Sequence, residues 1–472
     1  MSKINGKIDE IQPTKEKISS RTGLNPFIKY LRNNNIDELI KEKLGFLKKI
    51  DSGVPVKEIY LQLIVFFLAG DKKNLNYFSI KKSDETYARL LDYKSTDDLI
   101  STDVVKRIFK KHSYTLASIY RKILQNHFIW KLKKENPEII TIDIDTVLFD
   151  NSYSKKKEGV SYTYKKGVKG FNLLMAKWNS YVIDTVFRGG KKHSNNKNTT
   201  IKTINHLLKK IHKEYKENIP IVFTLDSGFY DKKIFNFLEK QKNVYYVVTG
   251  KKYSDIKKKV KEKIQNGDEK LYKKKKGKKI NKWKYMELKD KRGTWDKQRR
   301  AIYTRQFCDD NQKCLFSKKD RIYYTNLNDN NQLLINTIKD IESIDISNFI
   351  SCKNIIKLAH KRGESELVHR HIKEYWKETF PFKYFQANMG FCYTMLISFN
   401  LYESYKRRIC KNVIKSKCYP NIFRRKLIDF AGKIIDTGRK TILKVPEKII
   451  EKLNLKKIFK QVQLSEDIIF ET

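Results

Sequence analysis

The hydrophobic period changes along the chain, and each change predicts a different kind of structure. From residue 1 to about 135, apolar residues recur every three or four positions, as in FIKYLRNNNIDELIKEKLGFLKKI and VKEIYLQLIVFFLAG. Ser101-Thr102-Asp103 offers a side-chain cap ahead of VVKRIFKKHSYTLASIYRKIL. An all-α N-terminal module is expected. Its most apolar run, Ile59 to Gly70, is about 12 residues, too short to cross a bilayer, and reads as a buried helix. The short VVKRIFKKH helix, with Lys106, Arg107, Lys110 and Lys111, suits either a DNA groove or an ordinary amphipathic surface.

Near residue 138 the period shortens to two. EIITIDIDTVLFD alternates, and GVSYTYKKG, NLLMAKW and SYVIDTVFRGG continue as strands of a meander. NTTIKTINHLLKKIHKEYKE then reads as a helix, IPIVFTLDSGF as a buried strand ending in a turn, KKIFNFLEKQKN as a helix and VYYVVTG as a strand. This order predicts a mixed sheet flanked by helices, as in the ribonuclease-H-like fold. Residues 252 to about 282 are so rich in lysine that a solvated helix and loop are expected, with the Lys273-to-Lys276 cluster a candidate phosphate contact. WKYMELKD, RRAIYTRQFC and DRIYYTNL predict a β-rich insertion before the chain returns to helix.

The expected α/β architecture therefore has five parts: a helical domain over 1–135, the first part of the mixed-sheet core over 136–282, a β-rich insertion over 283–350, the rest of that core over 351–435, and a C-terminal helical segment over 436–472. The 472 residues and 40% hydrophobic content are enough for sizeable cores.

Charge changes this picture most. Lys plus Arg number 101 against 53 acids, a formal net charge of +48, which would concentrate nucleic acid and make its binding steeply salt dependent. Six cysteines without a CxxC pair argue against a zinc site or a disulfide framework. MSKINGKIDEIQPTKEK has no apolar core of a secretion signal, so a cytoplasmic protein without a membrane span is expected.

Against this basic background three separated carboxylates stand out. Asp145 and Asp226 end apolar, strand-like runs, and Glu366 lies on the basic helix RGESELVHRHIKEYWKE. Carboxylates held by a sheet, with no Cys or His beside them, suit hard ions such as Mg²⁺ or Mn²⁺, and two such ions can activate an attacking oxygen and stabilise a leaving one. Asp143 shares a strand face with Asp145 and is assigned a supporting place beside the metal ligand. Arg362, Glu366, Arg370 and Lys373 follow helical spacings of four, four and three, which puts one acid and three bases on one face for gripping phosphates. His369 and His371 are expected to project elsewhere.

With these residues in place the chain resembles the DDE transposases of bacterial insertion sequences, in the cut-and-paste group marked by a Tyr-x2-Arg-x3-Glu-x6-Lys signature. Arg362, Glu366 and Lys373 match its last three positions, TIDIDT resembles the first-Asp strand, LDSGF the second-Asp turn, and TWDKQRRAIY the β-insertion of one branch. KGVKGFNLL, RGGKKHS, YYTNL, FQANMGF and SSRTGLNPFIKYLRNNNIDELIKEKLG extend the similarity in order over nearly the whole chain. The signature's Tyr position falls on Ala359. The resemblance implies Asp145, Asp226 and Glu366 as ligands of two Mg²⁺ or Mn²⁺ ions. It also implies Arg362 and Lys373 as contacts to transposon-end phosphates, and Trp295 with Arg299 or Arg300 as further DNA contacts, a place in the core being equally open to Trp295. The expected partners are double-stranded DNA, both inverted repeats and target, and a second copy of the chain in a synaptic dimer. The same acids would serve a metal-dependent endonuclease without strand transfer, or be surface groups of a non-enzymatic DNA-binding protein.

Overall fold

A computed structural model describes residues 10–48, 53–70, 74–154, 156–276, 279–307, 320–328, 345–377, 379–438 and 440–465. The chain divides into two compact units. One comprises Met1–Lys111, Glu374–Trp376 and Leu401–Ile468, the other His112–Lys373, Lys377–Asn400 and Ile469–Thr472.

The first unit begins with strand β1 (Lys17–Ser19) and helices α1 (Leu24–Asn33), α2 (Ile36–Leu44), α3 (Val56–Ala69), α4 (Asn76–Lys81), α5 (Glu85–Leu90) and α6 (Thr102–Lys110). Helix α3 holds the Ile59–Ala69 run and is buried on all sides, as an all-apolar helix must be. In α6, Ser101 Oγ accepts the Val104 N–H at 3.4 Å. Val105, Ile108 and Phe109 of that helix are buried, and Lys106, Arg107 and Lys110 face water.

The second unit runs through α7 (Leu116–Glu135), β2 (Ile140–Asp150), β3 (Ser161–Tyr162), β4 (Lys169–Trp178), β5 (Tyr181–Val186), α8 (Thr199–Glu214), β6 (Ile221–Leu225), α9 (Lys232–Glu239), β7 (Val244–Thr249) and α10 (Ser254–Gln265). It continues through β8 (Lys270–Lys276), β9 (Lys279–Asp290), β10 (Arg299–Phe307), β11 (Arg321–Thr325), α11 (Ile346–Phe349) and α12 (Cys352–Tyr375). Strands align in the order β3-β4-β2-β6-β7-β11-β10-β9-β8, with β5 also on β4. The β2–β6 and β6–β7 pairs are parallel and the others antiparallel. The result is a mixed α/β unit, compatible with a ribonuclease-H-like core.

The insertion strands differ from a separate β module. Through β11, with Tyr324 opposite Val248, they extend the core sheet itself. The second half of the lysine run is also strand rather than loop: β8 pairs with β9, placing Tyr272 opposite Trp283. Lysines on an edge strand keep the exposed backbone from pairing with another chain, so their solvation does not preclude a strand. The side chains of 274–281, and with them most of the Lys273-to-Lys276 cluster, lie outside the described residues, as do Cys308 and Cys314.

Alternation along β2 sorts residues between two sheet faces. Ile140, Ile142 and Ile144 join Phe128, Ile129 and Leu132 of α7, Ile204, Leu207 and Ile211 of α8, and Phe235 and Leu238 of α9 in one apolar cluster. On the other face Val222, Tyr245, Val247, Ile302 and Tyr323 receive Ile355, Ile356 and Ala359 of α12. That packing lays α12 over the strand positions that carry Asp143 and Asp145.

Helix α13 (Phe385–Arg408) begins in the second unit, and its last residues, from Leu401, belong to the first. There α14 (Pro420–Leu427), β12 (Gly432–Thr437), β13 (Lys440–Lys444), α15 (Glu447–Lys452) and α16 (Leu455–Gln463) complete the chain. Strand β1 pairs with β12, Ile18 opposite Lys433, so the N-terminal module is not purely helical and the segment after 436 is not helix alone. A strand of three residues is too short to show a period; only its partner reveals it. Helix α7, expected in the N-terminal domain, belongs to the second unit. No helix among the described residues is long and apolar enough to cross a membrane.

Candidate active site

The site is built where β2 and β6 run side by side. Asp143 lies opposite Thr224 in the parallel β2–β6 pair and opposite Lys177 in the antiparallel β2–β4 pair. Asp145, two residues on, shares its face, and Asp226 follows the last residue of β6. Adjacent strands thus set the spacing of these acids. Asp226 caps the short turn after β6, accepting the Gly228 N–H at 2.8 Å, and that holds its carboxylate at the strand end.

One guanidinium gathers the acids. Arg362 Nη2 donates to Asp145 Oδ2 at 2.9 Å and stands 3.7 Å from Asp226 Oδ2, while its Nε is 3.3 Å from Asp143 Oδ1. Burial raises the Asp226 carboxyl above the ordinary carboxylate range, and the Asp145 charge pushes the same way, opposed by Arg362. Three carboxylates therefore converge on a single cationic group.

Asp143 is more fully enclosed. Thr224 Oγ1 donates to it at 3.0 Å, Ser365 Oγ donates to its other oxygen, and Lys177 Nζ lies 3.1 Å away with only 1% of its side chain exposed. Lys177 also donates to His369 Nε2, since an ammonium has nothing to accept with. Burial, and then the Lys177 charge, hold His369 well below the ordinary imidazole value.

The sheet-facing stripe of α12 therefore runs Ala359, Arg362, Ser365, His369 and Ile372, at helical spacings of three and four. This corrects two expectations. His369 points at the sheet instead of elsewhere, and Glu366 and Arg370, expected beside Arg362, are exposed. A residue one position after Ser365 is turned by about 100° around the helix, which is enough to carry Glu366 off the sheet. Among the described residues no group of three or more His, Cys, Asp or Glu side chains is arranged to hold a metal ion. The donor chemistry of Asp145 and Asp226 nevertheless fits a hard cation, since both offer carboxylate oxygens already directed at one positive group. Lys373 is partly buried near Asp150, whose carboxyl is held low first by Ser152 and also by Lys165 and Lys373. Ala359 is buried against the sheet, and the neighbouring His360 ring lies 4.8 Å from that of Trp283.

The insertion residues expected to touch DNA are structural instead. Trp295 is 5% exposed, its ring 5.4 Å from Tyr324 and 5.6 Å from Phe235. Arg299 covers Trp295 at 4.7 Å and spends its donors on Glu239 at 2.8 and 2.9 Å and on Asn236 at 2.8 Å. Arg300 donates to Glu287 at 2.8 Å and to the carbonyls of Leu327 and Ile350 at 2.6 and 2.8 Å. Donors already committed to partners within the protein have little to offer a phosphate. Thr224, Lys177 and Ser365 escaped the sequence reading; only Ser365, three residues after Arg362, carried a signal, its helical spacing.

Over residues 10–467 the chain matches the model of the transposase DDE domain, group 1, and it belongs to that DDE transposase family. Among curated proteins none matches it. Membership makes it a transposase in general terms: a nuclease-type enzyme acting on DNA, of a class that generally uses divalent metals.

Proposed function

We propose that the chain is a cut-and-paste transposase of an insertion sequence, cleaving DNA at terminal inverted repeats and joining the freed 3′-OH to target DNA. The observation that carries this reading is the convergence of Asp145 and Asp226, from adjacent parallel strands, on one cationic group of the helix that also bears Glu366. In this reading Asp145, Asp226 and Glu366 hold two Mg²⁺ or Mn²⁺ ions. Such ions, when bound, lower the pKa of the attacking oxygen and offset charge on the leaving one.

The protein's own groups supply position. The sheet holds Asp145 and Asp226 rigid, and Asp143 secures Lys177 and Ser365, so that α12 is tied down at the level of the acids. Glu366 joins the acids by swinging its exposed side chain toward the sheet, and Arg362 exchanges carboxylate for a DNA phosphate, a pairing its planar donors suit. Arg370 and Lys373 grip flanking phosphates on the same helix. Two copies would synapse the two element ends.

The deciding experiment is a strand-transfer assay with a pre-cut 3′-OH end, a supercoiled target plasmid and Mg²⁺ or Mn²⁺. Joined product is expected. Nicking without joining would reduce the chain to an endonuclease, and neither activity would remove the catalytic reading.

A further inference from the structure

The connection between β2 and β4 leaves large aromatic rings in water. Tyr153, Tyr162 and Tyr164 are 96%, 60% and 74% exposed, whereas Tyr245, Tyr246, Tyr323 and Tyr324 of the neighbouring strands are buried. Tyrosine, apolar in its body and polar at its tip, is enriched at binding interfaces. Thr163 separates Tyr162 from Tyr164, and lysines follow them along the chain. In GVSYTYKKGVKG, residues 159–170, there is no acid, and Lys165, Lys166 and Lys169 are exposed.

The segment is an ordered hairpin. Tyr162 pairs with Lys169 and Ser161 with Gly170. Beyond them the Thr163 N–H donates to Val168 O at 3.0 Å, and the Val168 N–H closes the tip on Lys165 O at 3.1 Å. Gly167, at φ +78°, takes the left-handed conformation that the tip requires. Tyr162 ends the paired strand and Tyr164 lies two residues on, in the bend that leads into the tip. Lys169 Nζ lies 4.4 Å from the Tyr162 ring centroid, bracing one face of that ring.

The hairpin is rooted at the candidate site. Gly170 lies opposite Asp150 on β2, the strand that carries Asp145. The Tyr164 hydroxyl is within reach of the charges of Asp145 and Asp226, and Lys165 shares the Asp150 surroundings with Lys373. Rings flanked by lysines, on a hairpin paired with the strand that carries Asp145, match the chemistry of single-stranded nucleic acid, where bases stack on rings and ammonium groups neutralise the backbone. A paired duplex offers no base faces to such rings.

We propose that Tyr162 and Tyr164 form a stacking platform for unpaired bases of a DNA end whose scissile phosphate lies at Asp145 and Asp226. The identity of the ligand as DNA rests on the transposase reading; the platform itself rests on the hairpin.

The test compares binding of the full-length chain, by fluorescence anisotropy without added metal, to a fully paired duplex and to one carrying short unpaired tails. Wild type is expected to favour the tailed duplex by about tenfold or more, the Tyr162→Ala/Tyr164→Ala double variant to lose that preference, and Tyr162→Phe/Tyr164→Phe to keep it. A wild type with no preference, an Ala variant that retains it, or a Phe variant that loses it as completely would each overturn the platform. Strand transfer is scored separately. Tail preference in a chain that neither cuts nor joins DNA would sink the catalytic reading and leave the platform standing, while strand transfer without tail preference would do the reverse.

Discussion

On one face of β2, Ile140, Ile142 and Ile144 are fully buried among aliphatic and aromatic side chains of α7, α8 and α9. One residue away, on the other face, Asp143 and Asp145 are almost as deeply buried but are answered by Lys177, Ser365, Thr224 and Arg362. The same backbone thus supports two kinds of core. The apolar face is held by area removed from water, which is indifferent to fine geometry. The charged face is held by matched donors and acceptors, and loss of a single partner leaves a charge stranded. Chemistry belongs on the second face, because only there does the fold keep ionised groups close together.

The comparison breaks most completely at the acids. Asp226→Asn and Asp145→Asn are each expected to reduce metal-dependent cleavage to background while DNA binding persists. Asp143→Asn should cost less activity, and if it proved the most damaging of the three, the ligand would be Asp143.

Stability probes the two faces next. Trp295→Ala removes a buried ring from the apolar cluster and should cost about 3–5 kcal/mol in denaturant unfolding. Lys177→Met should cost a similar amount, about 3–5 kcal/mol, by stranding the Asp143 carboxylate. The faces separate in the double variants: Lys177→Met/Asp143→Leu should recover much of the loss, and no second polar-to-apolar change will rescue Trp295→Ala. If Trp295→Ala left stability intact and weakened DNA binding instead, its placement in the core would be wrong.

Acid should act on the charged face through His369, as well as on α8 through His206 and His212, which burial also lowers. His369 is neutral in the fold, and its native pKa lies well below the ordinary 6.5. Below pH 6.5 the unfolded chain binds the proton first, so stability from this residue is full above 6.5 and falls as pH drops toward the native value, by up to about 1.4 kcal/mol per pH unit. Unfolding curves between pH 7 and 5 should show this slope, and His369→Gln should flatten it; equal slopes would refute the assignment. The smallest effect is expected at Lys373, where Ala should lower the slope of log affinity against log salt by about one unit. An unchanged slope would take Lys373 out of contact with phosphate.

Much of the second unit was legible in the chain. The alternation of EIITIDIDTVLFD and the run IPIVFTLD placed β2 and β6, because strand periodicity is a local property; Asp226 follows the end of β6 as expected, whereas Asp145 lies in the middle of β2, which continues to Asp150. Helical spacing put Arg362 on one face with Glu366, Arg370 and Lys373, and it could not say which of two adjacent stripes meets the sheet. Ile355, Ile356 and Ala359 decide that by packing against Val222, Tyr245 and Tyr323, and so turn Ser365 and His369 inward and Glu366 outward. The insertion arginines show the same limit: RR in a basic chain reads as a phosphate contact until Glu239 and Glu287, 60 and 13 residues away, are seen to hold them.

What the sequence determined by itself is therefore the local and the global: which segments alternate or wind, that two acids belong to strand-like runs, and a net charge of +48 that calls for a polyanion. The tertiary structure decided what joins distant segments. It added β8 to β11 to the core sheet, paired β1 with β12, buried Trp295, and surrounded Asp143 and Asp145 with groups from β4, β6 and α12. The reason is physical: periodicity is written in neighbouring residues, whereas a buried charge is satisfied only by whichever distant side chain the packing brings to it.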